Sequence, residues 1–198
     1  MAMNSDVPHL LFGGSFSAII PPHSVDVSEI REIPDNQEVF AHSNTDQSIV
    51  IELLEHQNHV PDQEAARYHF ADIASSNDVS GMDSTEILSV EPVGSDQITL
   101  QDPSSAWLLS GRQQVAKFNE QARNTVTIHL ALFRLPQYST DILITFNDPT
   151  VISPFSSSVG GSSVQSGGMS ASAAPHWTLQ QFRTTVQSFR LLDPTIFS

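Results

Sequence analysis

Between Thr125 and Leu135 the apolar side chains fall on every second position, with Val126, Ile128, Leu130 and Leu132 on one side and Thr127, His129 and Ala131 between them. A period of two is that of a strand with one buried face, so the pattern predicts a strand here. Thr140 to Asn147 reads the same way. Only Leu135-Pro136-Gln137-Tyr138 and Ser139 connect the two, which makes them a hairpin. Upstream, Glu86 to Glu91 and Ala106 to Lys117 also read as strands, with Ser110-Gly111 a kink or bulge in the second. Gln37 to Ala41 is a further strand, placing Glu38 and Phe40 on one side and Val39 and Ala41 on the other. Leu10 to Ile20 is an extended buried segment that bends near Gly13-Gly14 and stops at Pro21-Pro22.

Elsewhere the spacing is helical. Ala66, Phe70 and Ile73 share one face of a helix over Glu64 to Ala74, which follows the break at Pro61. Leu179, Phe182, Val186 and Phe189 mark a helix from Trp177 to Leu191, with Asp193-Pro194 just past its end. Thr45 or Asp46 caps a third helix through about Asn58, carrying Ile49, Val50, Leu53 and Leu54 as its stripe, although the β-branched run Ile49-Val50-Ile51 works against it. Asp26 caps a short helix through Glu29, and Pro34-Asp35-Asn36 is a turn. Helices before and after a run of sequential strands predict an α/β fold: a mainly antiparallel sheet of about six strands, covered by helices on both faces. The 198 residues suit a single domain. Residues 149–175, rich in Ser and Gly, read as a mobile loop ahead of the last helix.

Charge changes the picture from fold to function. Residues 1–102 hold eighteen of the twenty-two carboxylates against Arg31 and Arg67 alone, a net charge of −16, whereas residues 103–198 carry +2. Such a field draws in a basic partner and repels nucleic acid. The acids crowd most tightly between Asp26 and Glu38, which marks this segment as the working surface; the alternative is a solvated face that keeps the chain soluble. Absent cysteine excludes disulfides, thiolate catalysis and zinc-thiolate sites. No signal-peptide pattern or membrane-length apolar run occurs, and the one lysine, Lys117, forms no basic cluster for acidic lipid or nuclear import. These features predict a soluble intracellular protein with no direct membrane insertion, and at 21.6 kDa one small enough to enter the nucleus passively.

Candidate chemistry is sparse. Gly13-Gly14-Ser15 lacks the ending of a phosphate-binding loop, so no nucleotide cofactor is expected. No serine has nucleophile-elbow flanks. His56-x-x-His59, with Asp62 nearby, is a candidate metal pair, but no third ligand has fixed spacing, and His69 and His129 read as residues at the core's edge. A binding protein is expected, not an enzyme.

Six stretches in order carry a resemblance: Leu11-Phe12-Gly13-Gly14-Ser15-Phe16-Ser17-Ala18-Ile19-Ile20-Pro21, Pro34-Asp35-Asn36-Gln37-Glu38-Val39-Phe40, Arg67-Tyr68-His69-Phe70, Leu109-Ser110-Gly111-Arg112-Gln113-Gln114-Val115-Ala116-Lys117, Leu135-Pro136-Gln137-Tyr138 and Asp193-Pro194-Thr195-Ile196-Phe197. Together they resemble the Ran guanine nucleotide release factor family, in a vertebrate-type form. The resemblance implies a three-layer α/β/α sandwich. It also implies binding to the small GTPase Ran, promotion of nucleotide release from it, and a part in nuclear transport, hence a place in nucleus and cytoplasm. Family acids of the N-terminal segment face Ran; carried over, these are Asp26, Asp35 and Glu38, with Glu29 beside them. Vertebrate members are also linked to delivery of a voltage-gated sodium channel to the cell surface, so the alternative is a trafficking adaptor without exchange activity.

Overall fold

The computed structural model describes residues 7–76, 85–116, 123–151 and 174–198. A long antiparallel sheet runs through it, built from β3 (Ser24–Asp26), β4 (Gln37–His42), β5 (Ser48–Glu55), β6 (Thr85–Pro92), β7 (Ser105–Ala116), β8 (Arg123–Leu135) and β9 (Thr140–Val151). Their order across the sheet is β3-β4-β5-β9-β8-β7-β6, seven strands against the six expected. A smaller sheet joins β1 (His9–Leu11), β2 (Phe16–Ala18) and β10 (Arg190–Leu191) around β2. The helices α1 (Asp62–Ser76) and α2 (Leu179–Ser188) lie on opposite faces of the long sheet, giving the expected three layers.

Alternation sorts the two cores. Phe40, Ile49, Ile51, Phe133, Ile142, Ile144 and Phe146 point to one face, where Phe16 of β2, Trp177, and Phe182 and Val186 of α2 cover them. Leu109, Ile128, Leu130, Leu132 and Leu143 point to the other, against Ala65, Ala66 and Phe70 of α1. Burying each such large side chain stabilises the fold by roughly 1.5–3 kcal/mol. Phe70 also explains Gly111: a Cβ there would sit 2.5 Å from the ring's Cζ, so only glycine lets helix and strand approach. The register shift lies across from it in β6, between Ile87 and Ser89, rather than at Ser110-Gly111.

Three expectations need correction. The segment 45–58 is not a helix but the strand β5, hydrogen-bonded to β4 on one side and β9 on the other. Ile49 and Ile51 are both fully buried on one face while Val50 faces the other, so β-branching and pairing on both edges override the weak helical stripe. The stretch 10–20 bends at Gly13-Gly14 as expected, but the bend is a full reversal that includes Phe12, all three residues having positive φ (50°, 64° and 96° for Phe12, Gly13 and Gly14), so that β1 folds back on β2. The last helix is also shorter than expected. Thr178 and Gln181 form a capping box at its start, Phe189 leaves it in extended conformation, and Arg190–Leu191 becomes β10. The Ser/Gly-rich loop assigned to 149–175 falls mostly outside the described residues. Where the chain resumes, Gln47 is its anchor: its buried side-chain amide accepts from Trp177 N–H (2.7 Å) and donates to the Trp177 carbonyl (2.9 Å). The Trp177 indole N–H donates to the Pro22 carbonyl (2.7 Å). Among the described residues no helix is long and apolar enough to cross a membrane.

Candidate partner interface

All four candidate acids lie on the hairpin made by β3, β4 and the chain between them. β3 pairs with β4 so that Asp26 stands opposite Phe40, and a 3₁₀ turn over Val27–Glu29 packs against β4. Asp26 caps this turn as expected. One of its carboxylate oxygens accepts from the Ser28 N–H (2.8 Å) and from the Ser28 hydroxyl (2.6 Å). Ile30 and Arg31 close the turn, both donating to the Val27 carbonyl (3.0 Å each). Glu29 and Glu32 are exposed beside them.

The second half of the hairpin is held just as firmly. Gln37 N–H donates to the Pro34 carbonyl (3.0 Å), closing the turn that carries the exposed Asp35. Asn36 then extends the ladder towards β5: its carbonyl accepts from Leu53 N–H (2.9 Å) and its side-chain amide donates to the Leu53 carbonyl (3.1 Å). Glu38 does not simply project to solvent. It is half-buried, and its carboxylate accepts the N–H of Phe12, the first of the three left-handed residues between β1 and β2. Glu38 therefore ties the small sheet to the long one. Of the four candidate acids, Glu29 and Asp35 make no side-chain hydrogen bond or ion pair among the described residues, and neither does Glu32 beside them, so these three are the acids most available to a partner. From Asp26 to Glu38 five carboxylates face only Arg31.

Glu52 is the acid that sequence reasoning missed. It stands opposite Gln37 on the other face of the sheet, where Gln37 donates to it (2.7 Å). Burial raises its pKa, and the Asp72 charge adds to the rise; the Gln37 bond and the His69 charge oppose it. It borders a shallow depression of about 320 Å³ between the sheet and the end of α1, floored by Val50, Ile73, Val126 and Ile128. Reading β5 as a helix hid it, since strand alternation alone would have placed Val50 and Glu52 on one face.

The remaining ionisable clusters serve the fold. Asp141, fully buried, accepts from His56 (2.7 Å), His69 (3.0 Å), the Gln57 N–H (3.2 Å) and Arg134 Nε (3.2 Å). Burial alone would raise its pKa, but the His69, His56 and Gln57 bonds and the Arg134 charge together outweigh that and hold it at about 2. Arg134, also buried, binds Asp62 (2.8 Å) and the carbonyls of Val60 (2.7 Å) and Gln57 (2.6 Å), so the pair staples the 56–62 segment to the sheet. His59 lies edge-on to Tyr68, and no three His, Asp or Glu are placed to hold a metal among the described residues. His129 bonds the Ser110 hydroxyl (2.7 Å); burial lowers its pKa.

The family model described as Ran-interacting Mog1 protein matches residues 9–149. The chain belongs to the Mog1 family. It is 56% identical to the Ran guanine nucleotide release factor of Danio rerio, across 94% of this chain and 97% of that protein. To the Homo sapiens protein of the same name it is 47% identical, across 94% of each. A solved structure of a Mog1 E65A mutant superimposes with a TM-score of 0.70 at 25% identity, covering 99% of this chain and all of that one. The Saccharomyces cerevisiae Ran-binding protein Mog1p gives 0.68 at 25%, with 97% and 98% covered. The Mog1 fold is thus shared over essentially the whole chain, and the acidic hairpin lies inside the matched region.

Proposed function

We propose that this chain binds the small GTPase Ran, promotes release of its guanine nucleotide and so supports nucleocytoplasmic transport, with the acidic β3–β4 hairpin as the contact surface. The observation that carries the reading is the coincidence of two things. The relatives that match across nearly the full chain are named for Ran nucleotide release, and the hairpin offers exposed, unpaired carboxylates on a rigid frame. In this surface Glu29 and Asp35 meet basic side chains directly. Asp26 holds the turn with one oxygen and offers the other, and Glu38 both contributes charge and anchors the hairpin to Phe12.

Release needs no contact with the nucleotide. A partner that binds the empty GTPase more tightly than the loaded one weakens nucleotide affinity by the same factor, because the two equilibria are linked. Acids that draw away basic residues or Mg²⁺ serving the phosphates would supply that difference in affinity. The test adds the purified chain to Ran loaded with fluorescent guanine nucleotide. Release should accelerate with the parent chain. With Glu29→Gln and Asp35→Asn each, affinity for Ran should weaken by about 2 kcal/mol where the contact is desolvated. Unchanged release in the presence of bound parent would favour the adaptor reading, in which the chain recruits a basic segment of a membrane channel without exchanging nucleotide. Absence of binding would overturn the assignment to Ran.

A further inference from the structure

Ile30 is the most exposed large apolar side chain among the described residues, at 72%. A single exposed isoleucine is ordinary on a protein surface. Two features mark this one. Its backbone is held at the close of the 3₁₀ turn: Ile30 N–H donates to the Val27 carbonyl and Asp26 caps the turn's start, so docking has little backbone freedom left to remove. It also stands among exposed charged residues in sequence, with Glu29 and Arg31 on either side and Glu32 and Asp35 beyond. An apolar centre with a charged rim is the anatomy of a protein-binding hot spot. Leu192 also has a held backbone and charged neighbours, Arg190 and Asp193, but is less exposed, at 46%; Leu88 lies on the edge strand β6.

From this we infer that Ile30 is the apolar anchor of the hairpin, inserting into a dry depression rimmed by Arg and Lys on the partner, while the surrounding acids steer and orient. The inference rests on the proposed binding to Ran and names the contact that would hold the complex once formed. Charge at a rim governs how fast two proteins meet and how strongly salt slows them, whereas a desolvated apolar contact governs how long they stay together. The two contributions therefore separate in kinetics. Removing Ile30 should raise the dissociation rate and leave the salt dependence of association unchanged. Removing an acid should reduce that salt dependence.

The experiment measures association and dissociation rates against purified, nucleotide-free Ran, at low and physiological salt, for the parent, Ile30→Ser, Asp35→Asn and Leu88→Ser. Leu88 is the control because β6 closes the far end of the seven-strand sheet, six inter-strand spacings or about 29 Å from β3. Both apolar substitutions are at exposed positions, and thermal denaturation verifies that each variant is folded. Ile30→Ser should dissociate at least tenfold faster, with Leu88→Ser within twofold of the parent. A folded Ile30→Ser chain that dissociates at the parent rate overturns the inference and leaves the proposed function standing, provided Asp35→Asn still weakens association. Equal acceleration by Leu88→Ser overturns it too, since the effect would then not belong to the hairpin. A parent chain that does not bind Ran removes both readings together.

Discussion

Asp141 and Asp35 are the same residue type in the same molecule, yet they answer different demands. Asp141 is buried and takes four hydrogen bonds, from two histidines, one backbone amide and one arginine. Asp35 sits on a closed turn, exposed, with no bond of its own among the described residues. A carboxylate whose lone pairs are already filled by the fold contributes to stability and has little left for a partner. One held out on a rigid frame with its lone pairs unused contributes almost nothing to stability and is ready for a partner's cations. The number of acids in a segment therefore says less about function than how many of them the fold leaves unsatisfied.

The strongest way to break this contrast is to remove Asp141. Asp141→Ala leaves Arg134, itself buried, without the carboxylate inside the sheet and strands His56 and His69. Breaking a buried pair on one side costs about 3–5 kcal/mol, and urea denaturation should show a loss of that size. Asp35→Asn in the same assay should move stability by no more than about 0.5 kcal/mol. Comparable losses for the two would erase the distinction.

Acid sharpens the comparison. Asp141 has its folded pKa depressed to about 2 from the ordinary 3.8, so its stabilisation is fully present above about pH 5 and is lost as pH falls through 3.8 towards 2. The shift corresponds to about 2 kcal/mol, using 1.36 kcal/mol per unit. Stability measured from pH 6 down to pH 2 should fall by about that much through this one group. The fall should be shallower by the same amount in Asp141→Asn, if that variant folds well enough to titrate. An unchanged slope would mean that other carboxylates carry the acid sensitivity.

The smallest effect separates the two uses of Asp26, which belongs partly to each class. As a cap it should cost about 1 kcal/mol of stability when replaced by Ala and little when replaced by Asn, which caps nearly as well. As a charge it should lose partner binding equally in both. Retained binding in Asp26→Asn with loss in Asp26→Ala would assign Asp26 to presenting the turn rather than to touching Ran.

The sequence made the β8–β9 hairpin legible because β8 alternates cleanly and a short connection joins the two strands, and α1 because its stripe begins after a proline. It also marked the acidic segment from Asp26 to Glu38, since clustering of charge needs no coordinates, but not that β3 and β4 pair to frame it. What it did not reveal depends on contacts between distant positions. Ile49-Val50-Ile51 looks helical by spacing, and only pairing with β4 and β9 on its two sides decides otherwise. Glu38 reads as a solvent-facing strand residue until Phe12, twenty-six positions earlier, donates to it. The partners of Asp141 come from the 56–62 segment, α1 and β8, and no local pattern could have joined them.

The side-chain grip of Gln47 on Trp177 carries a practical corollary. β9 ends at Val151 inside the long sheet, and Gln47 seizes the returning chain at Trp177 from both its N–H and its carbonyl. Both ends of the intervening stretch are thereby moored by contacts of their own, β9 in the sheet and Trp177 on Gln47. That stretch is accordingly the natural place to graft a fluorescent reporter or affinity handle. A handle kept clear of Pro175 and Trp177 spares the contacts that reach the hairpin's base, where His42 of β4 bonds the Pro175 carbonyl (3.0 Å) and the Trp177 indole bonds that of Pro22 (2.7 Å).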